Sequence, residues 1–284
     1  MAAEPRRGVL FMVGATFAFT AMITLVKNLR ETMPTLDVMF WRGVVGVPFA
    51  FLLARRDGKV GLVRRDLLVL RSVLGTGAMF CFYTATRFLT VADLSFIHKL
   101  QPILIAIVAP LILGRGESVG RRVWLVLAAG ICGCALLLAP EGGAGWRGGL
   151  WGLGAVLFSA GAHITVRKLG ETDRPAAVVL WFQILMASVA GLVVVATAGR
   201  LPTFAPSLWP MVIGVGLAAV AGQVLLTTAY QLERAAPVAA ASYIQAVWAL
   251  AVDLVIFGVV PTVWGLAGGV LIVMGGLILL PTRE

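Results

Sequence analysis

Ten mostly apolar runs occupy nearly the whole chain: residues 8–27, 36–54, 69–88, 92–113, 122–139, 149–168, 176–197, 208–231, 236–257 and 262–280. A helix needs about 20 such residues to cross a bilayer core roughly 30 Å thick. In lipid every backbone N–H and C=O must find its partner inside the protein, so only helices or closed barrels can span. Runs of this length read as helices. The connections are short turns holding Gly, Pro or charge, with no room for a soluble domain. The expected fold is an all-α membrane protein with ten transmembrane helices.

Composition agrees. Of 284 residues, 60% are hydrophobic and 13% charged, whereas a soluble domain holds about 45–50% and about 25%. A net charge of +10 suggests nucleic acid only when the basic residues form one face or arm. Here they cluster between the runs, which excludes that partner. With the N-terminus inside, the cytoplasmic segments carry fifteen Lys and Arg, from Arg6 and Arg7 to Arg283; the opposite side carries Lys27, Arg30, Arg147 and Arg200. That asymmetry puts both termini on the cytoplasmic side, and the expected location is a bacterial inner membrane. The first run is too long for a signal-peptide core and reads as a retained helix. Cys81, Cys132 and Cys134 sit inside runs without His or carboxylate neighbours, as small buried hydrophobes. No metal or other cofactor is expected.

The chain also matches itself. At an offset of 140, Arg7-Gly8 meets Arg147-Gly148, Gly14-Ala15 meets Gly154-Ala155, and Glu31-Thr32 meets Glu171-Thr172. At an offset of 144, Thr84-Ala85 meets Thr228-Ala229, Gln101 meets Gln245 and Gly114 meets Gly258. Val123-Trp124 recurs as Val263-Trp264. Residues 1–140 and 141–284 therefore read as two copies of one five-helix unit. An odd helix number makes the second copy enter the membrane upside down. Such inverted repeats are a recurring device of secondary transporters.

Those residues resemble the drug/metabolite transporter superfamily, in particular its ten-helix EamA-type branch. The likeness covers essentially the whole chain and rests on the five-plus-five plan and on the third and fourth runs. There the sequence reads Phe82-Tyr83-Thr84-Ala85, Ala92-Asp93, Leu100-Gln101-Pro102 and Leu113-Gly114-Arg115-Gly116-Glu117. The resemblance implies a central cavity between the halves, lined by helices one, three, four, six, eight and nine. It implies export, or sometimes import, of amino acids and other metabolites. The family's proline in helix four is matched by Pro102; its counterpart in helix nine is Ala246, so a second kink is absent or made otherwise.

A charged side chain near the bilayer centre costs roughly 2.5–3.5 kcal/mol on insertion scales, so each needs a reason. His98, Lys99 and Gln101 fall within one turn of the fourth run, directly before Pro102, and form the first candidate substrate contact. Their repeat counterparts are Ser242, Tyr243 and Gln245. His163, Gln223, Thr227 and Tyr230 add polar groups in the sixth and eighth runs, and Tyr83 with Phe80, Phe82 and Trp248 offers rings for a planar ligand. Lys99 and Asp253 reach similar depths, and with Arg87 and Pro102 are the candidates for gating or coupling; a static Lys99–Asp253 salt bridge is the alternative. Arg42 and Arg87 either snorkel to the headgroups or face inward. If they face inward, the cavity favours carboxylates or phosphates. His98, His163 and Asp253 are the candidates for proton coupling.

Three classes remain: a secondary transporter of a small polar metabolite, a membrane-embedded enzyme, and a scaffold or lipid-linked sugar flippase subunit. Gly116-Glu117-Ser118-Val119-Gly120 fits the Gly-x-Ser-x-Gly nucleophile pattern, which needs a strand-to-helix elbow; here it falls in a turn between helices. No Gly-x-x-x-x-Gly-Lys-Ser/Thr phosphate loop occurs, so energy comes from a substrate or ion gradient. The transporter is expected as a monomer or homodimer. Single cysteines placed beside Lys27 and beside Arg167 should react with an impermeant reagent from opposite faces of the membrane. Labelling of both from one face would rule out the inverted repeat.

Overall fold

The computed structural model describes residues 7–29, 32–58, 60–85, 88, 97–138, 146–257 and 262–279. Helices form where the apolar runs predict them. They are α1 (Arg7–Leu29), α2 (Thr35–Arg56), α3 (Arg65–Ala85), α4 (Gln101–Leu113), α5 (Arg121–Leu138), α6 (Trp146–Leu169), α7 (Pro175–Ala198), α8 (Trp209–Leu232), α9 (Ala235–Ala241), α10 (Ile244–Phe257) and α11 (Val263–Leu279). Single 3-10 turns lie at Arg115–Glu117 and Pro206–Leu208. No strand occurs among the described residues. Among the described residues six segments, in α1, α2, α6, α7, Pro206–Leu232 and α9–α10, are long and apolar enough to cross a membrane.

Local chemistry sets the ends. Pro175 opens α7 after an extended Arg174, and Gly199, at φ 63°, closes it in the left-handed conformation that costs glycine little. Within α1, the hydroxyls of Thr16, Thr20 and Thr24 donate to the carbonyls of Val13, Thr16 and Thr20. Their own helix satisfies them, as burial away from water requires.

The ninth run needs correction. Expected as one helix over 236–257, it is two, α9 and α10, separated at Ser242–Tyr243. The Ser242 N–H donates to the Ala239 carbonyl (3.0 Å) and the Tyr243 N–H to the Ala240 carbonyl (3.2 Å), the tighter i to i+3 pattern. The fourth run is interrupted too. Lys99 and Leu100 form a turn, the Leu100 N–H donates to the Ile97 carbonyl (3.0 Å), and α4 starts only at Gln101. Lys99 and Tyr243 stand 144 residues apart, one of the offsets at which the chain matches itself. A proline follows the first break; the second is made without one.

The main helix contacts join the first 140 residues to the rest. α1 packs along α8, α3 along α6, α2 along α7, and α5 along α11. Exchanging α1 with α6 and α3 with α8 converts the first of these contacts into the second. Two indole hydrogen bonds follow the same exchange. Trp41, on α2, donates to the Pro202 carbonyl beyond α7 (3.2 Å), and Trp181, on α7, donates to the Val60 carbonyl beyond α2 (2.9 Å). The start of each helix thus meets the segment following the other, so α2 and α7 are antiparallel. Each end carries a further contact: Arg200 reaches the buried Asp37 at 2.8 Å, and Asp173 accepts the N–H groups of Val63 (2.6 Å) and Arg64 (3.1 Å).

The outer surface is apolar, with Leu111, Val255 and Val263 almost fully exposed. Lipid is the solvent that suits it. Inside, small residues set the helix spacing. Gly43 lies against Ala187 and the Gln183 carbonyl, and Gly216 against Val45. Gly216→Leu should therefore destabilise the protein by about 1–3 kcal/mol, read as a lower unfolding temperature in detergent. An unchanged temperature would mean α2 and α8 do not approach this closely.

Candidate functional site

The two helix breaks meet. The Tyr243 hydroxyl donates to the Lys99 carbonyl at 2.9 Å, an oxygen that the interrupted fourth run leaves without its usual helical donor. The Tyr243 ring is buried, occupying the space a side chain at Gly130 of α5 would fill. Lys99 is buried as well, and its Nζ donates to Gln245 Oε1 at 3.0 Å. Gln101 Nε2 donates to His163 Nδ1, tying α4 to α6. The His163 ring stacks on Tyr230 of α8 with centroids 4.9 Å apart, and His98 meets Phe82 edge to face at 5.4 Å. Tyr230 and Thr227 are both buried. Gln223, Thr227 and Tyr230 follow the i, i+4, i+7 spacing that lines one helix face.

Below the junction lies a second polar group. Arg71 on α3 is 2% exposed, donates from Nη2 to Gln223 Oε1 at 2.9 Å, and lies with its guanidinium carbon 3.5 Å from the centroid of the Phe182 ring. Arg42 on α2 is buried, places Nη1 3.5 Å from the Met79 sulfur, and is near enough to repel Arg71. Gln183 on α7 is fully buried beside Gly46 and Val220.

Among the expected site residues, the structure brings together His98, Lys99, Gln101, His163, Gln223, Thr227, Tyr230, Tyr243 and Gln245. Ser242 lies at the ninth-run break, half-buried, and Pro102 is buried in the first turn of α4. The side chains of Tyr83 and Asp253, and all of Arg87, lie outside the described residues. Lys99 is engaged by Gln245. Arg42 faces inward rather than snorkelling. Phe80 departs from expectation, since it is mostly exposed and pairs with Trp151 on the lipid-facing side. Arg71 and Gln183 are the residues sequence reasoning missed. Arg71 lies six residues past the start of α3, about 9 Å along its axis, which was the one available signal.

The helix ends are stitched by a separate network. Glu117 accepts from Arg167 Nε at 2.8 Å and from the Ala235 N–H at 2.7 Å, while Arg167 Nη1 donates to the Gln231 carbonyl at 2.9 Å. One ion pair thereby collects the α4–α5 turn and the ends of α6, α8 and α9. Ser118 sits exposed in that same turn, with none of the strand geometry a nucleophile elbow needs. Among the described residues no cluster of His, Cys, Asp or Glu suits a metal ion.

A model of the EamA-like transporter family matches residues 6–139 and again 146–280. The pseudopaline exporter of Pseudomonas aeruginosa is 29% identical, over 98% of both chains. A riboflavin transporter of Rhizobium johnstonii is 28% identical, over 83% of this chain and 79% of its own length. Human solute carrier family 35 member G1 is 25% identical, over 95% and 77%. A crystal structure sharing 18% identity superposes with a TM-score of 0.80 over 95% of this chain and 97% of that one, a likeness of fold alone.

Tyr243→Phe should leave the Lys99 carbonyl buried without a donor, at a cost of about 1–3 kcal/mol. A thermal midpoint equal to that of the unaltered protein would show that the two breaks are held by something else.

Proposed function

The chain belongs to the EamA-like transporter family, within the drug/metabolite transporter superfamily, and from this premise we propose how it works and on what. It is a multi-pass membrane protein and a small-molecule transporter, not an enzyme. The finer reading is a secondary transporter of a small polar metabolite, of amino-acid type, working by alternating access in the cytoplasmic membrane with both termini inside.

The observation that carries this reading is the meeting of the two broken helices. Discontinuous spans are the usual way a transporter presents polar groups at mid-membrane. Here the junction assembles an ammonium (Lys99), two amides (Gln101 and Gln245) and an imidazole (His163). Such a mixture suits a zwitterion. Ten spans in two inverted five-helix units, 1–140 and 141–284, are supported by the self-match, by the two tandem family matches and by the antiparallel α2–α7 pair with its exchanged indole contacts. Exchange of conformation between such halves opens a central site to one side and then the other. His98, Lys99, Gln101, His163, Gln223, Thr227, Tyr230, Tyr243, Gln245, Ser242 and Tyr83 are proposed as the lining. Lys99, Asp253, Arg87 and Pro102 are proposed for gating or coupling, with protons as one candidate ion.

The buried Arg42 and Arg71 favour a second reading, a nucleotide-like or vitamin-like anion. Relatives named for pseudopaline export and riboflavin transport are compatible with either.

Purified protein in proteoliposomes should carry saturable flux of at least one compound from an amino-acid and vitamin panel. Lys99→Met should lower that flux about tenfold or more, the scale of losing one charge-assisted hydrogen bond. Absence of flux across the panel would refute transport by this chain alone, and full flux in Lys99→Met would remove Lys99 from the site. Collapse of a proton gradient with an ionophore should abolish accumulation only if protons are coupled.

A further inference from the structure

The strongest unexplained feature is the distribution of buried charge. Arg42, Arg71 and Lys99 are all buried well inside their helices or at the break. The buried carboxylates among the described side chains, Asp37, Glu117 and Asp173, sit at helix ends, committed to Arg200, to Arg167 with the Ala235 N–H, and to the N–H groups of Val63 and Arg64. Arg71 and Lys99, held at this depth, call for a counter-charge.

Around Arg71 part of the guanidinium edge is left without a partner among the described residues. The Phe182 ring covers a face of the guanidinium at 3.5 Å, so a ligand must approach edge-on, in the guanidinium plane. Along the edge, Nη2 is used by Gln223, whereas the buried Nε has no partner among the described residues. Gly75 leaves the space into which Nη1 fits, and Gly46 leaves the space for the Gln183 amide. Gln183 is fully buried, and neither its Nε2 nor its Oε1 has a hydrogen-bond partner among the described residues. Its amide and Val220, one turn of α8 before Gln223, both border the space that Gly46 leaves open. A buried amide unsatisfied at both atoms is expensive, on the order of 1–3 kcal/mol per group, and such a group normally belongs to a site completed by something else. Thr227 Oγ1, one turn beyond Gln223 on the same face, is likewise buried and without a partner among the described residues.

We propose that Arg71, flanked by Gln183 and Gln223, is the carboxylate-binding subsite of the transported molecule. A planar, singly charged carboxylate fits an edge-on guanidinium whose face is stacked, pairing with it in plane. The Gln183 amide then gains an acceptor for its N–H. A phosphate can pair with the same edge bidentately, but its second charge needs a further buried cation to compensate it. The junction at Lys99, Gln101 and Gln245 is left for the polar remainder of the substrate. This assignment rests on the transport reading and adds the chemical class and the residue that selects it.

The test uses the full chain, purified in detergent and screened by thermal shift against succinate, glutamate, histidine and citrate. Paired controls are succinamide, putrescine and inorganic phosphate. At least one carboxylate should raise the unfolding temperature while the amide, the diamine and phosphate do not. Arg71→Gln should abolish that shift, Arg71→Lys should retain part of it, and Gln183→Leu should weaken apparent affinity about tenfold or more. Arg71→Lys keeps the charge and guards against a variant that merely misfolds. Equal stabilisation by putrescine or succinamide, an undiminished response in Arg71→Gln, or no response to any carboxylate would overturn the proposal. Proteoliposome flux separates it from its premise: Arg71-independent flux of a compound without a carboxylate leaves transport standing and removes this subsite.

Discussion

Inside a bilayer a backbone carbonyl without a donor has no water to turn to, and that constraint governs the centre of this molecule. The fourth and ninth runs both break, and each break interrupts the helical hydrogen-bond ladder. The protein closes the gap by setting the breaks against each other, with the Tyr243 hydroxyl on the Lys99 carbonyl at 2.9 Å. Gly130 makes room for the ring that carries this hydroxyl. Because the breaks touch, the side chains beside them converge. Lys99 meets Gln245, and Gln101 meets His163, which stacks on Tyr230.

The rest of the architecture complements that centre. Negative charge is spent at the helix ends, where Glu117, Asp173 and Asp37 hold turns and termini together. Positive charge remains in the middle on Arg42, Arg71 and Lys99. The ends are tied by ion pairs and by the Trp41 and Trp181 indoles, around a cationic centre. The EamA-like family match and the named transporter relatives make the chain a small-molecule transporter.

Much of this was legible before any coordinates. The helix positions follow from apolar length, because nothing else satisfies a backbone in lipid, and α1, α2, α7 and α8 begin and end within about two residues of their expected bounds. His98, Lys99, Gln101, Tyr243 and Gln245 stood out because charge and amides in such runs are costly. Their pairing did not stand out. The offset of 144 aligned Lys99 with Tyr243 and Gln101 with Gln245, whereas the hydrogen bonds run from Lys99 to Gln245 and from Gln101 to His163. The break at Ser242–Tyr243 also escaped, since no proline marks it.

By itself the sequence determined the solvent, the class of secondary structure and a set of polar residues awaiting a purpose, because hydropathy and run length are properties of neighbours along the chain. Tertiary structure alone decided which way the long side chains turn. Arg71 could have snorkelled to the headgroups nearby; it turns inward because Gly75 leaves a space and Phe182, more than a hundred residues on, offers a face for it. A flexible side chain takes its direction from whatever surrounds it, and that is set only when distant helices pack.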